Sequence, residues 1–118
     1  MANALTRLRT GSYSEGLSLF RQLLGLTQNR DLAGRSLFWV AVSEEGLGNN
    51  SGALSAYHQF SQLYSDHPRL PQALLRQASV FLRLRDNETA RLTLQKLMAQ
   101  FPSTAEARQA QEKLSRLY

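Results

Sequence analysis

The sequence predicts an all-α superhelix of three helix-turn-helix repeats closed by a C-terminal capping helix, and three observations carry that prediction. A four-position pattern recurs at a fixed 37-residue step, at Gly11-Gly16-Phe20-Leu23, Gly48-Ala53-Tyr57-Phe60 and Arg85-Ala90-Leu94-Leu97. In each copy a turn residue precedes a small residue and two large apolar ones, spaced to share one face of a helix. Between these helices lie partners with their own stripe, Leu37, Val40 and Ala41 in one copy and Leu74, Ala78 and Phe81 in the next. Each unit is therefore a helix-turn-helix pair that cannot bury its apolar faces alone and must stack on its neighbours. Thirdly, the joints carry turn and cap chemistry where the 37-residue step wants it, at Thr10-Gly11, Gly48-Asn49-Asn50 and Asp86-Asn87,.

Seven helices follow, at about 2–9, 13–26, 31–46, 50–65, 70–84, 87–100 and 104–117, and no strand. Grouped in pairs they give a single domain, with repeat 1 at about 1–28, repeat 2 at about 31–65, repeat 3 at about 70–101 and the capping helix at about 104–117. The first helix is cut short, because the position one step before Leu37 falls ahead of Met1; the chain is expected to be a piece of a longer protein. The second helix opens on Ser12 with Glu15 at capping-box spacing,. The third carries the Leu37 stripe and ends at Gly46-Leu47-Gly48, whose glycines suit a helix end,. Pro68, Pro71 and Pro102 punctuate the gaps between units, and Ser103 with Glu106 sets a second capping box ahead of the last helix,. That helix has one apolar stripe, Ala107, Ala110, Leu114 and Leu117, and is otherwise covered by Arg108, Gln109, Gln111, Glu112, Lys113 and Arg116, as a terminal cap requires,.

Composition excludes several classes. At 118 residues, 42% hydrophobic and 19% charged, the chain can bury a continuous though thin core,. Its longest apolar run, from Leu37 to Val42, falls far short of the roughly 20 residues that cross a bilayer,. Met1-Ala2-Asn3-Ala4 has no basic region leading into a hydrophobic one, so a secretory signal is not expected in this stretch,. The absence of cysteine removes disulfides and thiolate chemistry and leaves the compartment open,. His58 and His67, nine apart and without a helically spaced second ligand, are expected to be surface polar residues rather than a metal site,. The neighbouring Glu44 and Glu45 point in different directions and are expected to form a solvated helix end,. No nucleophile motif, phosphate loop or dinucleotide fingerprint occurs, so neither an enzyme nor a cofactor is expected.

The net charge of +5 raises the question of nucleic acid,. Twelve of the fourteen cations are arginine, scattered from Arg7 to Arg116 without a dense run, and the aromatics fall mainly on the buried stripe. Acidic peptide or protein partners are favoured over nucleic acid on that distribution.

The units, with a small residue, an aromatic or leucine four later and an apolar residue three after that, resemble the tetratricopeptide repeat. The longer 37-residue step resembles the C-terminal domain of the TolA-binding proteins of the Tol-Pal system, the YbgF/CpoB family. Phe38-Trp39-Val40-Ala41, Gln100-Phe101-Pro102-Ser103 and the segment from Arg108 to Leu114 are similar to that family's Tyr-Trp-Leu-Gly stretch, Tyr-Pro turn and last helix. The resemblance implies a periplasmic, non-enzymatic adaptor in cell division, with a TolA-like protein or peptide as partner and no small-molecule substrate. In such arrays the first helix of each pair lines a concave groove. Projected onto this chain, the partner-binding residues are Leu5, Leu8 and Arg9; Arg35, Phe38, Val42 and Glu45; and Gln72, Leu75, Ser79, Leu82 and Arg83. Trp39 is expected to pack in the core, with Phe38 nearer the groove. Two alternatives stand beside the adaptor, a scaffold that self-associates through the open N-terminal end and a basic nucleic-acid-binding domain.

Overall fold

An α-helix leaves its first four amides without internal partners, and the way this chain satisfies them fixes where its helices begin. The computed structural model describes residues 29–117 and Gln22, with five α-helices and no strand among the described residues. The expected helices near 2–9 and 13–26, the Gly11 copy of the pattern and the Ser12-Glu15 box lie outside the described residues, apart from helical Gln22. The chain divides into two compact units, the first ending at His67 and the second beginning at Pro68.

The described part of the first unit contains α1 (Arg30–Gly46) and α2 (Asn50–Leu63), packed against each other. Asn29 caps α1, its side-chain oxygen accepting from the Leu32 amide at 2.9 Å. Gly48, at φ 78°, turns the chain, and Asn49 caps α2 by accepting from the Gly52 amide at 3.1 Å. Leu37, Val40 and Ala41 of α1 and Ala53, Ala56, Tyr57 and Phe60 of α2 are buried. The centre of this core is aromatic. Phe38 meets Trp39, Tyr57 and Phe60 edge-on at centroid distances of 5.3, 6.1 and 5.9 Å. Such edge-to-face pairs add to the burial of large rings.

The second unit contains α3 (Leu70–Arg83), α4 (Asn87–Gln100) and α5 (Ala105–Ser115); α4 packs on both of the others. The start of α3 has no side-chain cap; Pro71 sits in its first turn, where a missing amide hydrogen costs nothing,. Arg85 takes the turn at φ 62°, and Asp86 caps α4 through the Thr89 amide at 3.2 Å. The expected capping box on Ser103 is corrected by the structure: Thr104 is the cap, accepting from the Ala107 amide at 3.1 Å, and Glu106 lies in the first turn without that pairing role. Ala107, Ala110 and Leu114 of α5 are buried as its stripe requires, while half-buried Leu117 lies past the helix end.

The 37-residue pattern thus has a physical meaning in both described copies. Ala53 and Ala90, Tyr57 and Leu94, and Phe60 and Leu97 are fully buried, and Gly48 and Arg85 both occupy the left-handed region.

Candidate partner-binding faces

Each unit offers one helix face left partly open. On α1 the half-buried residues Leu32, Arg35, Trp39 and Val42 recur at spacings of three and four, which places them in one stripe,. On α3 the corresponding stripe is Gln72, Arg76, Ser79 and exposed Arg83, continued backwards by half-buried Arg69 at the N-cap, with half-buried Leu75 and Leu82 flanking it. Of the twelve residues expected to contact a partner, Leu5, Leu8 and Arg9 lie outside the described residues. Arg35, Val42, Gln72, Leu75, Ser79, Leu82 and Arg83 fall on or beside these stripes.

The structure corrects Phe38. Its side chain is 0% exposed and forms the hub of the aromatic core, so it cannot touch a ligand. Trp39, expected in the core, holds the half-buried place on the open face instead. One helical residue is a rotation of about 100°, so adjacent aromatics cannot share a face, and only the packing of α2 decides which turns inward. Glu45 is half-buried and accepts a hydrogen bond from the Tyr57 hydroxyl, which commits it to the α1–α2 contact rather than to an open face.

Two further expectations are overturned. Glu44 is no solvated helix end: it is 5% exposed, accepts a hydrogen bond from the Asn49 side-chain amide, and its carboxylate rests against Gly52. A Cβ at Gly52 would lie 2.6 Å from Asn49 Nδ2 and 2.9 Å from Glu44 Cδ, so glycine is what lets the carboxylate approach the start of α2,. A buried carboxylate is tolerated there because it accepts a side-chain hydrogen bond beside a positive helix end. His67 is likewise not a surface residue. It is 8% exposed, lies 5.2 Å edge-on to Phe60, and places Nε2 3.0 Å from Asp31 Oδ1. A Cβ on Gly34 would come within 2.8 Å of the imidazole, so Gly34 makes the room that His67 occupies. His58 is exposed, as expected.

Electrostatics divide the faces. Arg30, at the start of α1, donates to the Leu63 carbonyl at 2.8 Å and to Asp66 Oδ1 at 2.9 Å, and lies 5.1 Å from the Tyr64 ring centroid. The Arg30 hydrogen bond, followed by the residue's own backbone amide and the Arg30 charge, holds the Asp66 carboxyl below the usual carboxylate range,. Arg35 faces Asp31 one turn back at 3.8 Å. On α3, Arg69 donates to Gln72 at 3.3 Å, and Ser79 returns its hydroxyl to the Leu75 carbonyl at 3.1 Å.

The second unit also carries a cavity of about 230 Å³ lined by Met98, Pro102, Ala107, Arg108 and Gln111. Gln111 is exposed, whereas Leu74, one repeat step earlier, is buried. Exposed Arg108 and Ser115 likewise stand one step after buried Pro71 and Ala78, so α5 keeps the buried apolar positions Ala107 and Ala110 and turns polar at others that α3 buries, in keeping with a capping helix,. Among the described residues no cluster of His, Asp or Glu could hold a metal ion, and no helix is long and apolar enough to cross a membrane.

Comparison with known proteins agrees with this geometry. The tetratricopeptide repeat family model matches residues 35–67 and 72–104, two segments that begin 37 residues apart and together cover more than half of the chain. Among solved structures, the Yersinia enterocolitica type III secretion translocator chaperone SycD is similar with a TM-score of 0.77 at 19% identity, over 98% of this chain and 79% of that one. No curated protein matches the sequence. At such low identity the structural likeness concerns the fold, while the two matched segments fix the family: this chain belongs to the tetratricopeptide repeat family.

Proposed function

We propose that this domain is a non-enzymatic adaptor that binds a protein or peptide through the open faces of its first helices, α1 in one repeat and α3 in the next. The observation that carries the reading is the half-buried stripe on each of these helices, beside the positions that are buried in the core. Leu32, Trp39 and Val42 on α1 offer apolar contact beside Arg35; Gln72, Ser79 and Arg83 on α3 offer hydrogen bonds and charge. Large, rigid aromatics and arginine are the side chains that most often anchor an interface, which singles out Trp39. The SycD neighbour, a translocator chaperone by name, is a precedent for this fold in handling another protein. The resemblance to TolA-binding proteins supports a finer reading, a periplasmic adaptor of the Tol-Pal type with a TolA-like partner.

Capture from a Gram-negative periplasmic extract tests this, using the domain, a Trp39→Ala form and an Arg83→Glu form of equal helicity. Retention of a Tol-Pal component by the unmodified domain, lost in both variants, is the expected result. Equal retention by all three would remove the face assignment. Recovery of nothing but the domain itself, with a mass that rises with concentration, would replace the adaptor by a self-associating scaffold.

A further inference from the structure

The cavity beside α4 and α5 has a cause in the repeat. Two of its lining residues, Ala107 and Gln111, stand one step after Leu70 and Leu74, both of which are buried. An alanine and a glutamine thus replace two leucines, which removes apolar bulk where the cavity lies, next to half-buried Met98 and exposed Pro102,. The polar side chains of the lining are Arg108 and Gln111, three apart on α5, and no acid lies among the lining residues. Arg108 is exposed, and among the described residues no hydrogen bond or ion pair holds its guanidinium, Glu112 one turn along included. A cation and an amide donor at the mouth of an apolar cavity complement one carboxylate carried on an apolar body.

We infer that this cavity binds a small aliphatic carboxylate, its chain lodged against Met98, Pro102 and Ala107 and its carboxylate taken by Arg108 and Gln111. The site lies on α4 and α5 rather than on the open faces of α1 and α3, and it does not depend on the adaptor reading. A cavity of about 150 Å³ accommodates benzene, so one of about 230 Å³ holds roughly nine carbon atoms,. The last residue of a peptide also joins an apolar group to a carboxylate, but it brings backbone amide and carbonyl groups as well. Pro102 and Ala107 have no side-chain donor or acceptor for them and the Met98 sulfur is a weak acceptor, whereas an aliphatic chain needs none.

Titration of the whole chain with hexanoate, octanoate and dodecanoate, followed by calorimetry and by the Met98 methyl resonance, tests this. Octanoate is expected to bind with a Kd of about 0.1–1 mM and to shift the Met98 signal. It should bind about ten-fold tighter than hexanoate, the scale of two buried methylenes, while dodecanoate gains little more because the cavity is full. Octanol, which has the same chain without the charge, should bind about ten-fold more weakly, and Arg108→Gln should weaken octanoate by a similar factor. Lys96→Gln, an equal charge change at an exposed site on α4 outside the lining, should leave binding unchanged. Ala107→Leu, which restores the residue of the preceding step, should abolish binding; if it lowers helicity, Gln111→Leu takes its place. No binding of octanoate, equal binding of octanol, an affinity that climbs steadily through dodecanoate, or equal losses in Arg108→Gln and Lys96→Gln would overturn the inference. So would tighter binding of a dipeptide that ends in phenylalanine with a free carboxylate.

Discussion

The two described repeats have the same backbone plan and different interiors. Where the first places Phe38, Tyr57 and Phe60, the second places Leu75, Leu94 and Leu97. Where the first folds Glu44 over Gly52, the second has Phe81 and Thr89; buried Ser36 in the first corresponds to Ala73, and Gly48 at the turn to Arg85. The first repeat is thus an aromatic core with polar groups buried among it, the second an aliphatic core without them. The repeat therefore constrains the size and apolar character of a few positions, and leaves polar detail to each unit.

The largest break in that comparison should come at the hub. Phe38→Ala removes a fully buried ring and should cost about 3–5 kcal/mol, whereas Leu75→Ala, half-buried at the same repeat position, should cost much less,. Urea unfolding followed by far-UV circular dichroism measures both, and similar losses would mean the two positions are equivalent after all. Next comes the glycine seat: Gly52→Ala forces the buried Glu44 carboxylate to move and should cost about 1–3 kcal/mol,. Thr89→Ala, its counterpart, should stay within about 0.5 kcal/mol.

Ser36 is fully buried and its hydroxyl has no hydrogen-bond partner. Ser36→Ala should therefore stabilise by about 1–2 kcal/mol, and Ala73→Ser should cost a similar amount, as shifts in the urea midpoint would report. A destabilised Ser36→Ala would reveal a hidden partner for the hydroxyl. At the turns, Arg85→Gly should gain about 0.5–1 kcal/mol by relieving a left-handed arginine, and Gly48→Ala should lose about as much,. Thermal melts would register both.

The smallest effect concerns pH. Because the folded-state pKa of Asp66 is depressed, its contribution is present above the unfolded value and is lost as pH falls through the folded one,. An Arg30→Gln variant should accordingly show a shallower loss of melting temperature than the parent as the solution is acidified below about pH 4. The repeat step carries Asp66 to Ser103, so the second repeat has no equivalent acid response. Parallel curves for variant and parent would show that the Arg30–Asp66 pair adds nothing to stability.

Much of the fold was legible because it is written at helical period and at a fixed step. The expected helices 31–46, 50–65, 70–84, 87–100 and 104–117 correspond to Arg30–Gly46, Asn50–Leu63, Leu70–Arg83, Asn87–Gln100 and Ala105–Ser115, with ends displaced by two residues at most. Even the left-handed turn at Arg85 was marked by its alignment with Gly48. The candidate faces were legible only in outline. Arg35, Val42, Gln72 and Ser79 lie on the open stripes, but Phe38 and Trp39 exchange their expected places.

That this is a helical repeat, where its turns fall and which positions are small or large can be read from the residues alone, because each depends on neighbours within a turn or two of helix. Tertiary structure decided which of two adjacent aromatics faces inward, and that Glu44 and His67 are buried. Those outcomes depend on space left by residues far along the chain or across a turn: Tyr57 and Phe60 around Phe38, Gly52 beneath Glu44, and Gly34 beside His67. Periodicity reports which side of a helix is apolar, while burial of a polar group depends on whether a partner and a vacancy meet it there.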